Sequence, residues 1–307
     1  MTRLVSRRGL IGAATGLAAS GAGTGAYAVV VEPRMRLEVA RYALTPPRWT
    51  PGLKLRLAIL ADLHGREPNM GVRRIEQAME TAQSLSPDLI LLLGDYAQRV
   101  EPQGAFLSFR QVITQLSRLK APLGVHGILG NHEWWDDRAA QRAGKGPTEA
   151  HRLFAELGMS LLDNRAIRLT KDGKAFWLAG LGDQLAIKLG HKAGYGGVYR
   201  GADDLPGTMA QITDDAPVVM MAHEPDIFPR MPERVSLTLS GHTHGGQVRL
   251  FGWSPVVPSE YGNRYAYGHV VENDRHLIVS GGLGTVSAGL APVRLGVPPE
   301  IVQVDLG

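Results

Sequence analysis

The chain of 307 residues contains no cysteine, which excludes disulfides, thiolate nucleophiles and cysteine-ligated zinc. A cysteine-free chain is compatible with any redox compartment, so the absence does not locate the protein. Acidic residues are missing from residues 1–31, where Arg3, Arg7 and Arg8 carry +3 of the formal +4 and leave +1 for everything that follows. A body so close to neutral argues against a broad nucleic-acid footprint, and no specific nucleic acid is expected as a partner. There is no internal repeat and no convincing domain break. With 44% hydrophobic and 20% charged residues, the composition is that of a soluble globular protein with ample core and excludes disorder.

The N-terminal segment has a separate character. Ser6-Arg7-Arg8-Gly9-Leu10-Ile11 opens an uncharged, Ala- and Gly-rich run from Gly9 to Val31, closed by the cleavage-like triplet Ala26-Tyr27-Ala28. A charged start, a mildly apolar middle and small residues at the end describe an export signal. The paired arginines resemble the twin-arginine signal that exports folded proteins. Residues 1–28 are therefore expected to be a signal, or an anchor retained in the membrane, since the run reaches the ~20 residues a spanning helix needs. Its glycines weaken the anchor reading by lowering hydrophobicity and helix propensity. The expected location is extracytoplasmic, in the periplasm or on the outer face of the cytoplasmic membrane. The implied partner is the twin-arginine export machinery, with membrane association left open.

Residues 29–52 read as a linker with a first strand, and 53–307 as one functional domain. Leu55–Leu60 is a buried strand ending at Asp62, and Val72, Ile75, Met79, Ala82 and Leu85 recur at helical spacing over 71–85. Asp88–Leu93 is a second apolar strand, which makes a βαβ unit with parallel strands covered on both faces. A helix over 106–119 leads to a strand at 124–129, and 134–160 is mostly helical with a polar, glycine-bearing loop at Arg142–Pro147. Lys171-Asp172-Gly173-Lys174 marks a hairpin. Residues 183–214, rich in glycine, form either a flap beside the site or a surface loop. Strands at 218–222 and 235–239 follow, then short strands and turns from Gln247. Helices early and antiparallel strands late predict an α/β protein with two packed sheets and outer helices rather than one doubly wound sheet.

Five polar clusters end the apolar runs in order: Asp62-x-His64, Gly94-Asp95, Gly130-Asn131-His132-Glu133, His223 and Gly241-His242-Thr243-His244. A packed core has no use for so many unpartnered polar groups. They mix imidazole, carboxylate and amide donors, as a pair of divalent transition-metal ions requires. The i, i+2 spacing of Asp62/His64 and His242/His244 lets each pair point the same way in extended chain. Asp95 has two oxygens and can bridge. Two ions ~3.5–4 Å apart clamp the attacking and leaving oxygens of displacement at phosphorus.

On these five clusters the chain resembles the calcineurin-like metallophosphoesterase family. With its Arg7-Arg8 start, His223-Glu224-Pro225-Asp226 and Gly241–Gln247, it resembles that family's exported bacterial phosphodiesterase branch. The resemblance covers nearly everything after residue 50. It implies a four-layer α/β/β/α sandwich of two mixed sheets and two divalent cations, with Mn, Zn or Fe as the candidates. Asp62, His64 and His244 would hold the first ion, Asn131, His223 and His242 the second, and Asp95 would bridge. His132 would be the catalytic non-ligand histidine, and a metal-bound hydroxide the nucleophile on a small-molecule or lipid phosphoester. Purple acid phosphatases of the superfamily place a tyrosine ligand where this chain has Gln98, with Tyr96 at the wrong offset, so a charge-transfer ferric site is not expected. The rival readings are a non-catalytic metal-binding scaffold and a nuclease of the same superfamily.

Other residues admit two roles. Trp134 and Trp135 either line the substrate cleft or anchor the following helix. Arg66 either pairs with a substrate phosphate or is a solvated loop arginine. Asp183 either supports a metal-binding histidine or closes a turn. Asp136-Asp137-Arg138 reads as the charged first turn of a helix. His126, His151, His191, His269 and His276 default to structural roles.

Overall fold

The computed structural model describes residues 21, 23–98, 106–192, 196–286 and 293–307; most of the expected signal, residues 1–20 and 22, therefore lies outside the described residues. Two six-stranded mixed sheets lie at the centre. The first runs β1 (Glu38–Leu44), β14 (Glu300–Leu306), β2 (Leu55–Leu60), β3 (Leu89–Leu92), β4 (Val125–Gly127) and β5 (Ser160–Leu161). From β2 to β5 it is parallel, while β14 meets β2 antiparallel and β1 parallel. The second runs β12 (Gly268–Glu272), β13 (Arg275–Val279), β11 (Val235–Ser240), β10 (Val218–Met221), β7 (Lys174–Gly180) and β6 (Arg165–Lys171). Its four inner strands are parallel and its two edges antiparallel.

Alternation along each strand makes the layers. Leu57 and Ile59 of β2 face inward with Leu89 and Leu91 of β3, against Leu178, Val219, Met221, Leu237 and Leu239 of the second sheet. Ala58, Leu60, Ile90 and Leu92 face outward beneath three helices. Burying one such Leu or Ile side chain contributes about 1.5–3 kcal/mol, and both sheets bury side chains on both faces, as parallel strands require. After the short α1 (Glu32–Met35), the covering helices are α2 (Val72–Ser84), α3 (Phe109–Leu116) and, beyond α4 (Asn131–Trp135) and α5 (Arg138–Ala143), α6 (Glu149–Glu156). Helix α2 buries Ile75, Ala78, Met79 and Ala82, the stripe expected from the spacing. Helix α3 starts at a capping box between Ser108 and Gln111. The outer face of the second sheet is covered more thinly, by α7 (Leu205–Ala210) and short 3₁₀ turns that bring in Ile227, Phe228 and Tyr265.

The expected hairpin is β6–β7, its turn made by Asp172 (φ 49°) and Gly173 (φ 74°). Within 134–160 the expected glycine-bearing loop separates two helices: α5 ends at Gly144 in left-handed conformation, and α6 restarts from the Thr148 cap. The 183–214 segment divides: α7 covers the second sheet, and the part before it is a flap. It carries the hairpin β8 (Ile187–Lys192) and β9 (Gly196–Arg200), whose Tyr199 ring stacks on Trp135 at 5.2 Å while Lys188 Nζ lies 4.2 Å from the same ring. Among the described residues, no helix is long and apolar enough to cross a membrane.

Candidate metal centre

The loops after β2, β3, β4, β10 and β11 meet at the carboxyl ends of their strands, where open α/β sheets place their sites. Main-chain bonds set the loops side by side: Asp62 N–H donates to Gly94 O at 3.1 Å, His64 N–H to Asp95 O at 3.0 Å, and Gly241 N–H to His223 O at 3.0 Å. The donor residues are not in extended chain, as their spacing suggests. Asp62 (φ 53°), His64 (42°), Asp95 (53°), His242 (67°) and His244 (52°) are all left-handed. Non-glycine residues avoid that region at a cost of about 1 kcal/mol or more each, and such strain clusters where side chains must converge. The glycines beside them keep the centre open: a Cβ on Gly130 would come within 2.4 Å of Asp95 Oδ1 and 2.7 Å of His223 Nε2.

Two sets of ligand atoms gather within 4.8 Å of one another, Asp62/His64/His244 and Asp95/His223/His242. One oxygen serves both: Asp95 Oδ2 is 3.4 Å from His64 Nε2 and 3.3 Å from His223 Nε2. Asn131 Oδ1 joins the second set at 2.9 Å from His242 Nδ1. His223 Nδ1 donates to Leu93 O at 2.6 Å, as the second ring nitrogen of a metal-binding histidine commonly does, and this orients the ring with Nε2 toward the centre. That Nε2 has no hydrogen-bond partner, nor has the buried His64 Nδ1, and His64 Nε2 faces His244 Nε2 at 3.0 Å. Burial pushes His64 down to about 3 and keeps His244 and His242 below the ordinary imidazole value. Burial also pushes Asp62 up to about 7, Asp95 adding repulsion. His223 is the exception: burial lowers it, but the charge of Asp95 outweighs this and raises it well above the ordinary imidazole value. Imidazoles and crowded carboxylates turned to one point fit divalent cations.

His132 lies at the edge of this cluster. Its N–H donates to Asp95 Oδ1 at 2.9 Å, and its Nδ1 is 3.4 Å from Asp136 Oδ2. Burial lowers its affinity for a proton, but the charges of Asp95 and Asp136 outweigh it and the net shift is upward, opposite to that of His64 and His244. A donor atom of His132 also falls within 4.8 Å of His64 and Asp95, and Asp95 shifts His223 upward as well. Neither proximity nor the direction of the shift therefore separates His132 from the ligands; its contact with Asp136, outside both donor sets, does. Asp136 thus serves His132, while Asp137 caps α5 by accepting Ala139 and Ala140 N–H, each at 2.9 Å.

A cleft of about 250 Å³ opens over the centre, lined by Asp95, Asn131, His132, His242 and His244 and walled by Trp135, Val256 and Pro258. The tryptophan pair divides. Trp135 borders the cleft, its Nε1 donating to Leu185 O at 2.7 Å. Trp134, taken together with it as a substrate contact, instead turns into the core at 4% exposure, edge-on to His151, because successive residues of a helical turn point about 100° apart. Arg66 is not among the cleft residues; its guanidinium lies 4.7 Å over the Phe106 ring. Tyr96 packs against Phe109 and Phe154, and its hydroxyl donates to Ile128 O at 2.7 Å, away from the donors. Of the two jobs considered for Asp183 the hydrogen bonds carry the turn; the nitrogen of His223 that points away from the centre donates to Leu93 O, not to Asp183. Asp183 closes its turn through Leu185 N–H at 2.9 Å, and burial with the adjacent Glu224 raises it well above the ordinary carboxyl value beside His223.

Two residues escaped sequence reasoning. Glu133, though inside a motif, was assigned no task. It accepts Asp95 and Gly130 N–H on Oε2 and Tyr96 N–H on Oε1, all at 2.9 Å, and so locks the loops carrying Asp95 and Asn131. Burial, then the charge of Asp95, pushes it up to about 8 against those three donors, which favour its ionised form. Arg294 is fully buried behind His244. Its guanidinium donates to the carbonyls of Gly281, Gly284 and Val297, with Nη2 3.3 Å from His244 Nδ1. The signal for it was a lone cation within the apolar run Val293–Val297.

The fold and this donor set define a metal-dependent phosphoric ester hydrolase. Residues 55–246 match the family described as calcineurin-like phosphoesterase, and the chain belongs to that family, whose members use divalent metals. The uncharacterized metallophosphoesterase YkuE of Bacillus subtilis (strain 168) is 28% identical over 100% of this chain and 98% of its own length. The phosphodiesterase YaeI of Escherichia coli (strain K12) is 29% identical over 99% of this chain and 100% of its own. A transmembrane protein with metallophosphoesterase domain from Bos taurus is 25% identical over 82% of this chain, which spans 53% of that longer relative.

Proposed function

We propose that the chain is a dinuclear phosphodiesterase of the extracytoplasmic space. The observation that carries this reading is the position of Asp95 Oδ2 between His64 and His223, one from each donor set, at 3.4 and 3.3 Å. Asp62, His64 and His244 would hold one cation and Asn131, His223 and His242 the other, with Asp95 available to both and Mn, Zn or Fe as candidates. When bound, the cations supply Lewis acidity toward the phosphoryl oxygens and lower the pKa of water toward neutrality. Asp95 and Asn131 are held in place by Glu133 and by the N–H of His132. His132, oriented by Asp136, keeps a proton at the cleft edge and delivers it to the departing alkoxide, the general-acid task. The diester preference is supported by the likeness to the phosphodiesterase YaeI.

Export through the twin-arginine machinery rests on Arg7-Arg8 and the uncharged run after them. Retention of that run is favoured by its docking: Ala28 O accepts Arg294 N–H at 2.9 Å, and Glu32 Oε1 accepts Val297 N–H at 2.8 Å. The test is elemental analysis of the purified chain together with turnover of bis(p-nitrophenyl) phosphate across a metal series. About two metals per chain, with turnover abolished by Asp95→Asn while the fold persists, is the expected result. One metal per chain, or unchanged turnover in Asp95→Asn, overturns the assignment, and a metal-loaded chain inert to every phosphoester leaves a scaffold.

A further inference from the structure

Beside the cleft, the loop after Gln247 turns its apolar side chains outward. Leu250 and Trp253 pair across a two-residue turn, with N–H to O distances of 2.8 and 3.0 Å, and the turn residues Phe251 (φ 52°) and Gly252 (φ 80°) are both left-handed. Asn or Gly is the ordinary occupant of the first of these positions. A bulky aromatic there is a backbone outlier, and no packing compensates it, because Phe251 is fully exposed. Trp253 is 59% and Val256 67% exposed. Val256 also lines the cleft, so the apolar rim and the catalytic opening are one surface. In the flap, Leu189 is exposed too, next to Lys188, whose Nζ lies over the Trp135 ring.

What covers this rim is indicated by where the N-terminal run arrives. Ala28 and Glu32 are bonded to Arg294 and Val297, and the same segment pairs with the root of the loop: Leu295 N–H donates to Gln247 O and Arg249 N–H to Leu295 O, both at 2.8 Å. The uncharged stretch Gly9–Val31, long enough at ~20 residues to enter a bilayer, therefore joins the body on the side where Leu250, Phe251 and Trp253 protrude. Trp and Phe beside an apolar anchor are the side chains favoured at the boundary between headgroups and acyl chains. We propose that the Leu250–Val256 loop inserts into the surface of a phospholipid bilayer and seats the cleft there to receive phosphodiesters carried by lipids. The substrate half rests on the phosphodiesterase reading above; the docking half does not.

The absence of native cysteine allows a single label. Full-length chain carrying Phe251→Cys, or Val271→Cys at the end of β12 remote from the cleft, is coupled to a polarity-sensitive fluorophore and mixed with equimolar phosphatidylethanolamine and phosphatidylglycerol vesicles containing a doxyl-lipid quencher. The expected result is a blue shift and quenching at position 251 and neither at 271. A label at 251 that stays in water overturns the proposal and leaves the loop to a protein partner. In parallel, Phe251→Ser/Trp253→Ser is expected to lose about tenfold in turnover of vesicle-borne hexadecyl p-nitrophenyl phosphate while keeping wild-type turnover of soluble bis(p-nitrophenyl) phosphate. Equal turnover of the vesicle-borne ester by variant and wild type overturns the substrate half. No turnover of either ester by the wild type sinks the phosphodiesterase reading, with the fluorescence result still deciding the docking.

Discussion

The Glu133 carboxylate accepts the main-chain N–H of Asp95 at 2.9 Å, so the residue placed between the two donor sets is positioned by a side chain from the loop after another strand, β4. The same carboxylate takes Gly130 N–H and Tyr96 N–H. Glu133→Gln keeps the shape but turns an amide N–H₂ toward at least one of these donors. The expected cost is about 1–3 kcal/mol of stability and a loss of bound metal, read from urea unfolding and elemental analysis. Unchanged stability and metal content would show the clamp to be dispensable.

His132→Ala separates ligation from proton delivery. The variant is expected to retain its full metal content while kcat on bis(p-nitrophenyl) phosphate falls about a hundred- to ten-thousandfold, the range for a general acid. Metal lost in proportion to activity would make His132 a ligand, the alternative its distance to His64 and Asp95 allows.

Arg294→Met removes the donors of three buried carbonyls, those of Gly281, Gly284 and Val297. Each carbonyl left without a partner costs about 1–3 kcal/mol, so the urea midpoint should drop sharply. Arg294→Lys should recover little, since an ammonium cannot reproduce the planar fork. Full recovery by lysine would reduce the role to charge alone.

Asp214 lies far from the cleft and accepts Trp177 Nε1–H and Arg168 Nε–H, each at 2.7 Å. These bonds, the tryptophan's first, hold its carboxyl down to about 2. A depressed acid contributes stability above its unfolded value near 4, and that contribution fades as pH falls toward 2. The stability difference between wild type and Asp214→Asn should therefore be constant from pH 5 to 7 and shrink below about pH 4, as urea midpoints at stepped pH would show. A difference that grows on acidification would refute the assignment.

Much of this molecule was legible from residue order. The apolar runs at 55–60, 88–93, 218–222 and 235–239 became β2, β3, β10 and β11 because a strand buried on both faces must be apolar throughout. The stripe on α2 and the Asp172-Gly173 turn were readable for the same local reasons. The grouping of Asp62, His64 and His244 followed from family resemblance. Their left-handed backbone did not, because spacing carries no information on φ and both pairs proved to hold left-handed residues in place of extended ones.

Local chemistry along the chain thus determined which elements form and which residue types end them, since hydrophobic period and turn preference act within a few residues. Only the tertiary structure decided that Trp134 packs inward while Trp135 meets the cleft, that Glu133 clamps two loops, and that Arg294 stands behind His244 from 50 residues away. Those relations come from two sheets stacking face to face, and burial has to satisfy every polar group across that stack at once. No window of sequence contains both partners of such a contact.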